Sequence, residues 1–135
     1  MKKNKKENEW ILFAESDWAL AKQGRKSKKI LYETLCFHCQ QASEKAIKAV
    51  FVFYKINFPK THDIEQLLWL VKETGIDVPK IILTAKYLTV YATITRYPDS
   101  FNEVDKAKYK KAVLIADKVL QWAKVIIEKK SEKLF

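Results

Sequence analysis

At 135 residues the chain is long enough to bury a core without metals or disulfides, and its length suits a single domain. Two glycines and three prolines leave little material for turns, and with 48% apolar and 31% charged residues the prior is an ordinary soluble all-α fold. No uncharged apolar run approaches the ~18 residues of a membrane helix, and the lysine-rich N-terminus lacks the apolar core of a secretory leader.

The formal charge of +10 favours an anionic partner: nucleic acid, a nucleotide or an acidic protein surface. Only Arg25 and Arg96 among the 26 basic residues are arginine, so a plainly solvated lysine coat accounts for the charge equally well. Cys36 and Cys39 have the C-x-x-C spacing but fall in the middle of a helical pattern, away from the helix N-terminus that would activate a thiol. His38 and His62 are the only histidines, too few to complete a zinc site, so the cysteines read as small core residues in a reducing cytoplasm.

In chain order, residues 1–8 form a basic arm, residues 9–130 a helical bundle and residues 131–135 a polar tail. The first helix runs from Glu9 to about Lys26, with Trp10, Ala14, Trp18 and Ala21 on one apolar face and Gly24 near its end. Ser27 then caps a central helix that reaches Asn57, which at about thirty residues is roughly 45 Å long. Leu31, Leu35, Ala42, Ala46, Ala49 and Phe53 make one apolar stripe on it, and Phe37, Ile47, Phe51 and Tyr54 a second. A helix apolar on two sides is packed on two sides, so it occupies the middle of the bundle. The remaining strip carries Gln41, Glu44, Lys45 and Lys48, spaced to project together, with His38 at its edge.

Asn57-Phe58-Pro59 breaks the helix, and Thr61 reads as the cap of a third one containing Ile64, Leu67, Leu68 and Val71 and closed by Gly75. Asp77 caps a fourth helix running through Ile81, Ile82, Ala85, Leu88 and Ala92 towards Arg96. After the Tyr97-Pro98-Asp99-Ser100 turn, Asn102 or Asp105 starts a last helix with a stripe from Tyr109 to Ile127. The sum is an all-α, antiparallel up-and-down bundle of about five helices.

Four groups of residues resemble a known family: Ala14-x-x-Asp17-Trp18-x-x-Ala21, Gln40-Gln41-Ala42-x-Glu44-Lys45-Ala46-x-Lys48-Ala49, Thr61-His62-Asp63-Ile64 and Arg96-Tyr97-Pro98. Together they are similar to the HEPN domain, named for higher eukaryotes and prokaryotes nucleotide-binding. The resemblance covers about residues 9–127 and implies an up-and-down helical bundle, usually dimeric. Many HEPN proteins are metal-independent ribonucleases with arginine, four to six residues, then histidine. Here the window after Arg96 holds Phe101, Asn102 and Glu103, and the window after Arg25 holds Ile30, Leu31 and Tyr32. The motif is absent, which argues against that chemistry.

The resemblance is nearer to short HEPN proteins encoded beside a minimal nucleotidyltransferase in toxin–antitoxin-like pairs. It implies a non-catalytic or accessory subunit, a homodimer, that binds a nucleotide or RNA phosphate and partners a small nucleotidyltransferase. With the composition and hydropathy above, a cytoplasmic protein with no cofactor and no membrane contact is expected. The site residues expected on this reading are Gln41, Glu44, Lys45, Lys48, His62 and Arg96, whose lysines and guanidinium suit phosphate. Two alternatives stand beside it. One is a ribonuclease toxin working through His62, Arg96 and the lysines; the other is an assembly module whose polar row is only a dimer seam.

Overall fold

The structure is a computed structural model that describes residues 5–94 and 104–133. Arg96, with the rest of the Arg-Tyr-Pro group, lies outside the described residues. Helix α1 spans Lys6–Gln23, α2 Tyr32–Phe53, α3 Ile64–Glu73, α4 Lys80–Leu83, α5 Tyr91–Ile94 and α6 Lys106–Lys133. A 3₁₀ stretch, Thr84–Val90, joins α4 to α5, so the expected fourth helix is one irregular helical segment and the described residues form a bundle of five rods. The β-branched and aromatic residues Ile81, Ile82, Thr84, Tyr87, Thr89, Val90 and Tyr91 are weak helix formers, which suits this tightening.

As its two apolar stripes require, α2 lies at the centre and packs on α1 along one side and on α6 along another. Leu35, Ile47, Val50 and Phe51 are fully buried there, each worth about 1.5–3 kcal/mol of apolar transfer. Leu31, expected on the stripe, is exposed because it precedes the helix. The long helices are also laced by polar contacts: Trp18 Nε1 donates to the Val113 carbonyl at 3.2 Å and the Tyr109 hydroxyl to the Ala21 carbonyl at 2.9 Å. Cys36 and Cys39 are buried free thiols, and burial pushes Cys36 up to about 12 and Cys39 higher still. Neither is a thiolate at neutral pH, in keeping with a core role.

Several helix ends depart from expectation. Ser27 does not cap α2; its Oγ accepts from the Lys29 N–H at 3.3 Å, and α2 begins five residues later, after Leu31. The chain must reverse between two antiparallel helices, and residues 27–31 make that reversal. Gly24 permits it: a Cβ there would come within 2.5 Å of Leu35 Cδ2. At its other end α2 stops at Phe53, short of Asn57. Ile56 N–H bonds the Phe51 carbonyl at 2.9 Å and Lys55 N–H the Val52 carbonyl at 3.1 Å, a Schellman closure with Lys55 at φ 58°.

Thr61 does not cap α3 either. Its hydroxyl accepts from Asp63 N–H at 3.1 Å, and Asp63 caps the helix by accepting from Gln66 N–H at 3.3 Å. Pro79, not Asp77, precedes α4, while the Asp77 carbonyl accepts from Trp122 Nε1 at 3.2 Å. Asp105 does start α6, accepting from Lys108 N–H at 2.8 Å. No helix among the described residues is long and apolar enough to cross a membrane.

Candidate functional site

The polar row of α2 resolves into two adjoining clusters, each built on one carboxylate. Glu44, 4% exposed, anchors the first. Its Oε2 accepts from Lys48 Nζ at 2.6 Å, and its Oε1 accepts from Gln40 Nε2 at 2.8 Å and faces His62 Nδ1 at 2.9 Å. Gln41 Nε2 extends the network by donating to Gln40 Oε1 at 2.8 Å. The i, i+4 spacings of Gln40, Glu44 and Lys48 bring these three together on successive turns. His62 arrives from another element because the 54–63 connection folds back along α2 after the Schellman closure.

Burial pushes the Glu44 carboxyl up, but hydrogen bonds from Lys48, His62 and Gln40, with the Lys48 charge, outweigh it and hold the group below the usual carboxylate range. An ionised carboxylate only accepts, so His62 Nδ1 carries the proton in this contact and Nε2 becomes the outer ring nitrogen. The His62 side chain is 57% exposed. Lys48 is more confined, with its ammonium 5.9 Å from the Trp10 ring centre and 5.6 Å from that of Phe58, an edge-to-face pair. These distances are at the outer limit of a cation–π contact.

Asp17 of α1 anchors the second cluster. Its Oδ2 accepts from Lys45 Nζ at 2.6 Å and its Oδ1 faces His38 Nδ1 at 3.0 Å. This again leaves Nε2 as the outer nitrogen of a carboxylate-held imidazole. Lys45 and Lys48, read from the sequence as one pair, therefore serve different carboxylates, and each cation is matched by an anion. Of the six expected site residues, Gln41, Glu44, Lys48 and His62 share the first cluster, Lys45 belongs to the second, and Arg96 lies outside the described residues.

Gln40, not among the six expected site residues, is fully buried and joins Gln41 to Glu44. Its place one turn before Glu44 was the available signal. His38 reads from the sequence as a satisfied core residue; it is satisfied, but by Asp17 at a half-buried position. Trp10 and Phe58 beside Lys48 carried no signal beyond apolarity. Among the described residues no group of three or more histidine, cysteine, aspartate and glutamate side chains could hold a metal ion. What the clusters offer chemically is a pair of oriented imidazoles beside two neutralised ammonium groups.

A family model described as the HEPN domain matches residues 8–126. The fold is similar to the crystal structure of ST0689, an archaeal HEPN homologue, with 30% identity and a TM-score of 0.72 over 92% of this chain and 99% of that one. It is also similar to the crystal structure of TT1696 from Thermus thermophilus, with 26% identity and a TM-score of 0.77 over 90% of this chain and 98% of that one. No curated protein matches the chain. With the five-rod bundle and a family match over nearly its whole length, the chain belongs to the HEPN family.

Proposed function

We propose that this HEPN domain binds a nucleotide or RNA phosphate without cleaving it, at the surface where His62 and Lys48 meet. The observation that carries the reading is the buried Glu44 carboxylate, which holds an imidazole and an ammonium side by side at 2.9 and 2.6 Å. A phosphate approaching that surface meets His62 as a hydrogen-bonding group and Lys48 as a charge, both already oriented, so little side-chain freedom is lost on binding. The Asp17–Lys45–His38 cluster extends the same surface along α2. The net charge of +10 supports the approach of an anion from a distance.

On this reading the protein is a cytoplasmic accessory subunit, and the anionic partner class includes a small nucleotidyltransferase of a toxin–antitoxin-like pair. A homodimer is its assembly state. Leu12, Phe13 and Leu20, exposed together on the outer side of α1, support that assembly. Titration of mononucleotides and short RNA into the protein tests the reading. Binding that weakens about tenfold in His62→Ala and Lys48→Ala supports it; no binding up to about 1 mM ligand defeats it.

A ribonuclease remains the second reading because both imidazoles are held by carboxylates, the arrangement that orients a general base. RNA cleavage by the purified protein that disappears in His62→Ala would favour it over the binding role.

A further inference from the structure

Away from the polar row, the connection between α1 and α2 borders a recess of about 530 Å³, a size ordinary for small-molecule sites. Its wall includes Arg25, Lys28, Tyr32, Glu33, Leu35 and Val104. Glu33 is 4% exposed, and its Oε2 is buried without a hydrogen-bond partner. It is the one such side-chain atom found among the described residues. Its place in the first turn of α2 suits the helix dipole. The dipole accounts for a carboxylate there but not for burying an oxygen that meets no donor, which costs free energy in proportion to its lost hydration.

The rest of the wall shows what could supply that donor. Arg25 and Lys28 are exposed cations at the rim. The same wall carries the apolar side chains of Leu35 and Val104 and the ring of Tyr32, which is stacked on Tyr109 with ring centres 5.1 Å apart. We propose that this recess binds a small zwitterion, with an ammonium group donating to Glu33, a short apolar stem along Leu35, Val104 and Tyr32, and an anionic end at Arg25 and Lys28. The terminal torsion of a glutamate is soft, so Oε2 turns into the recess at little cost. The recess is separate from the Glu44 clusters: Glu33 lies three turns earlier on α2, about 16 Å along its axis.

Calorimetric titration with γ-aminobutyrate and ε-aminocaproate tests the assignment against n-hexylamine and hexanoate, each of which lacks one charged end. The expected result is binding of at least one amino acid with Kd below about 1 mM and binding of both one-ended analogues at least about tenfold weaker. Glu33→Gln should reduce zwitterion affinity about tenfold, and Arg25→Gln with Lys28→Ala should bring it down to that of n-hexylamine. The rim residues are exposed, so their removal leaves the fold intact and keeps the test valid should Glu33→Gln destabilise the bundle. Absence of zwitterion binding at about 10 mM, equal affinity for the one-ended analogues, or indifference to the rim substitutions would each overturn the proposal.

Discussion

Glu44 Oε1 faces His62 Nδ1 at 2.9 Å, joining the middle of the central helix to the residue just before the cap of α3. Because Glu44 is buried and His62 is not, the two ends of this contact should respond differently to substitution. Glu44→Ala removes the acceptor of Lys48, Gln40 and His62 at once, stranding an ammonium and a carboxamide in a dry place. The expected loss is about 2–4 kcal/mol of unfolding free energy. His62→Ala should cost under about 1 kcal/mol, since an exposed pair contributes little. Urea unfolding of the two variants checks this ordering, and equal losses would contradict it.

The depressed Glu44 titration has a pH consequence with a definite sign. A carboxyl held below its ordinary value contributes stability that is fully present above the unfolded value, about 4.3 for glutamate, and is lost as pH falls through the folded value. Glu44→Gln cannot titrate. The stability difference between parent and Glu44→Gln should therefore be constant above about pH 5 and shrink as the solution is acidified below about pH 4. Denaturant midpoints measured across that range give the curve directly, and a difference that grows on acidification would reverse the assignment.

At the end of α2, Lys55 adopts φ 58° where the Schellman closure favours glycine. The left-handed conformation costs a side-chain-bearing residue about 1 kcal/mol or more, while glycine adds back some unfolded-state entropy. Lys55 is exposed, so its side chain adds little packing to offset that strain. Lys55→Gly should stabilise the protein by about 0.5–1 kcal/mol, visible as a higher melting temperature with unchanged helix content.

The limits of sequence reading follow the same contacts. The apolar stripes of α2 placed it correctly at the centre, because periodicity reports which faces are buried. The strip left over was legible as polar, but its partition was not. Lys45 and Lys48 lie on one side of the helix, yet Lys45 reaches Asp17 on α1 and Lys48 turns back to Glu44 beside Trp10 and Phe58. A step of about 100° per residue separates such neighbours finely enough that only the packed partners decide. The caps divide in a related way: Thr61 and Asp63 are both good capping residues, and it is Asp63 whose side chain accepts from the Gln66 N–H at the start of α3. Asp77 suits a cap by residue type, whereas its carbonyl serves the Trp122 indole across the bundle.

The second cluster gives the sharpest test of the binding reading, because there a charge can be released without adding a new one. Asp17 neutralises Lys45 at 2.6 Å and holds His38 at 3.0 Å. Asp17→Asn keeps the side-chain volume, removes the negative charge and leaves Lys45 free to meet a phosphate. The bundle should lose about 1 kcal/mol, since Lys45 is partly exposed and its pair is screened by solvent. If the surface along α2 receives RNA phosphate, affinity for short single-stranded RNA should rise about three- to tenfold. The slope of log affinity against log salt should steepen by about 0.7, the value for one additional phosphate contact. A ligand that sits elsewhere on the bundle would leave both the affinity at moderate salt and the slope as they were, because a charge outside contact distance is largely screened beyond about 10 Å.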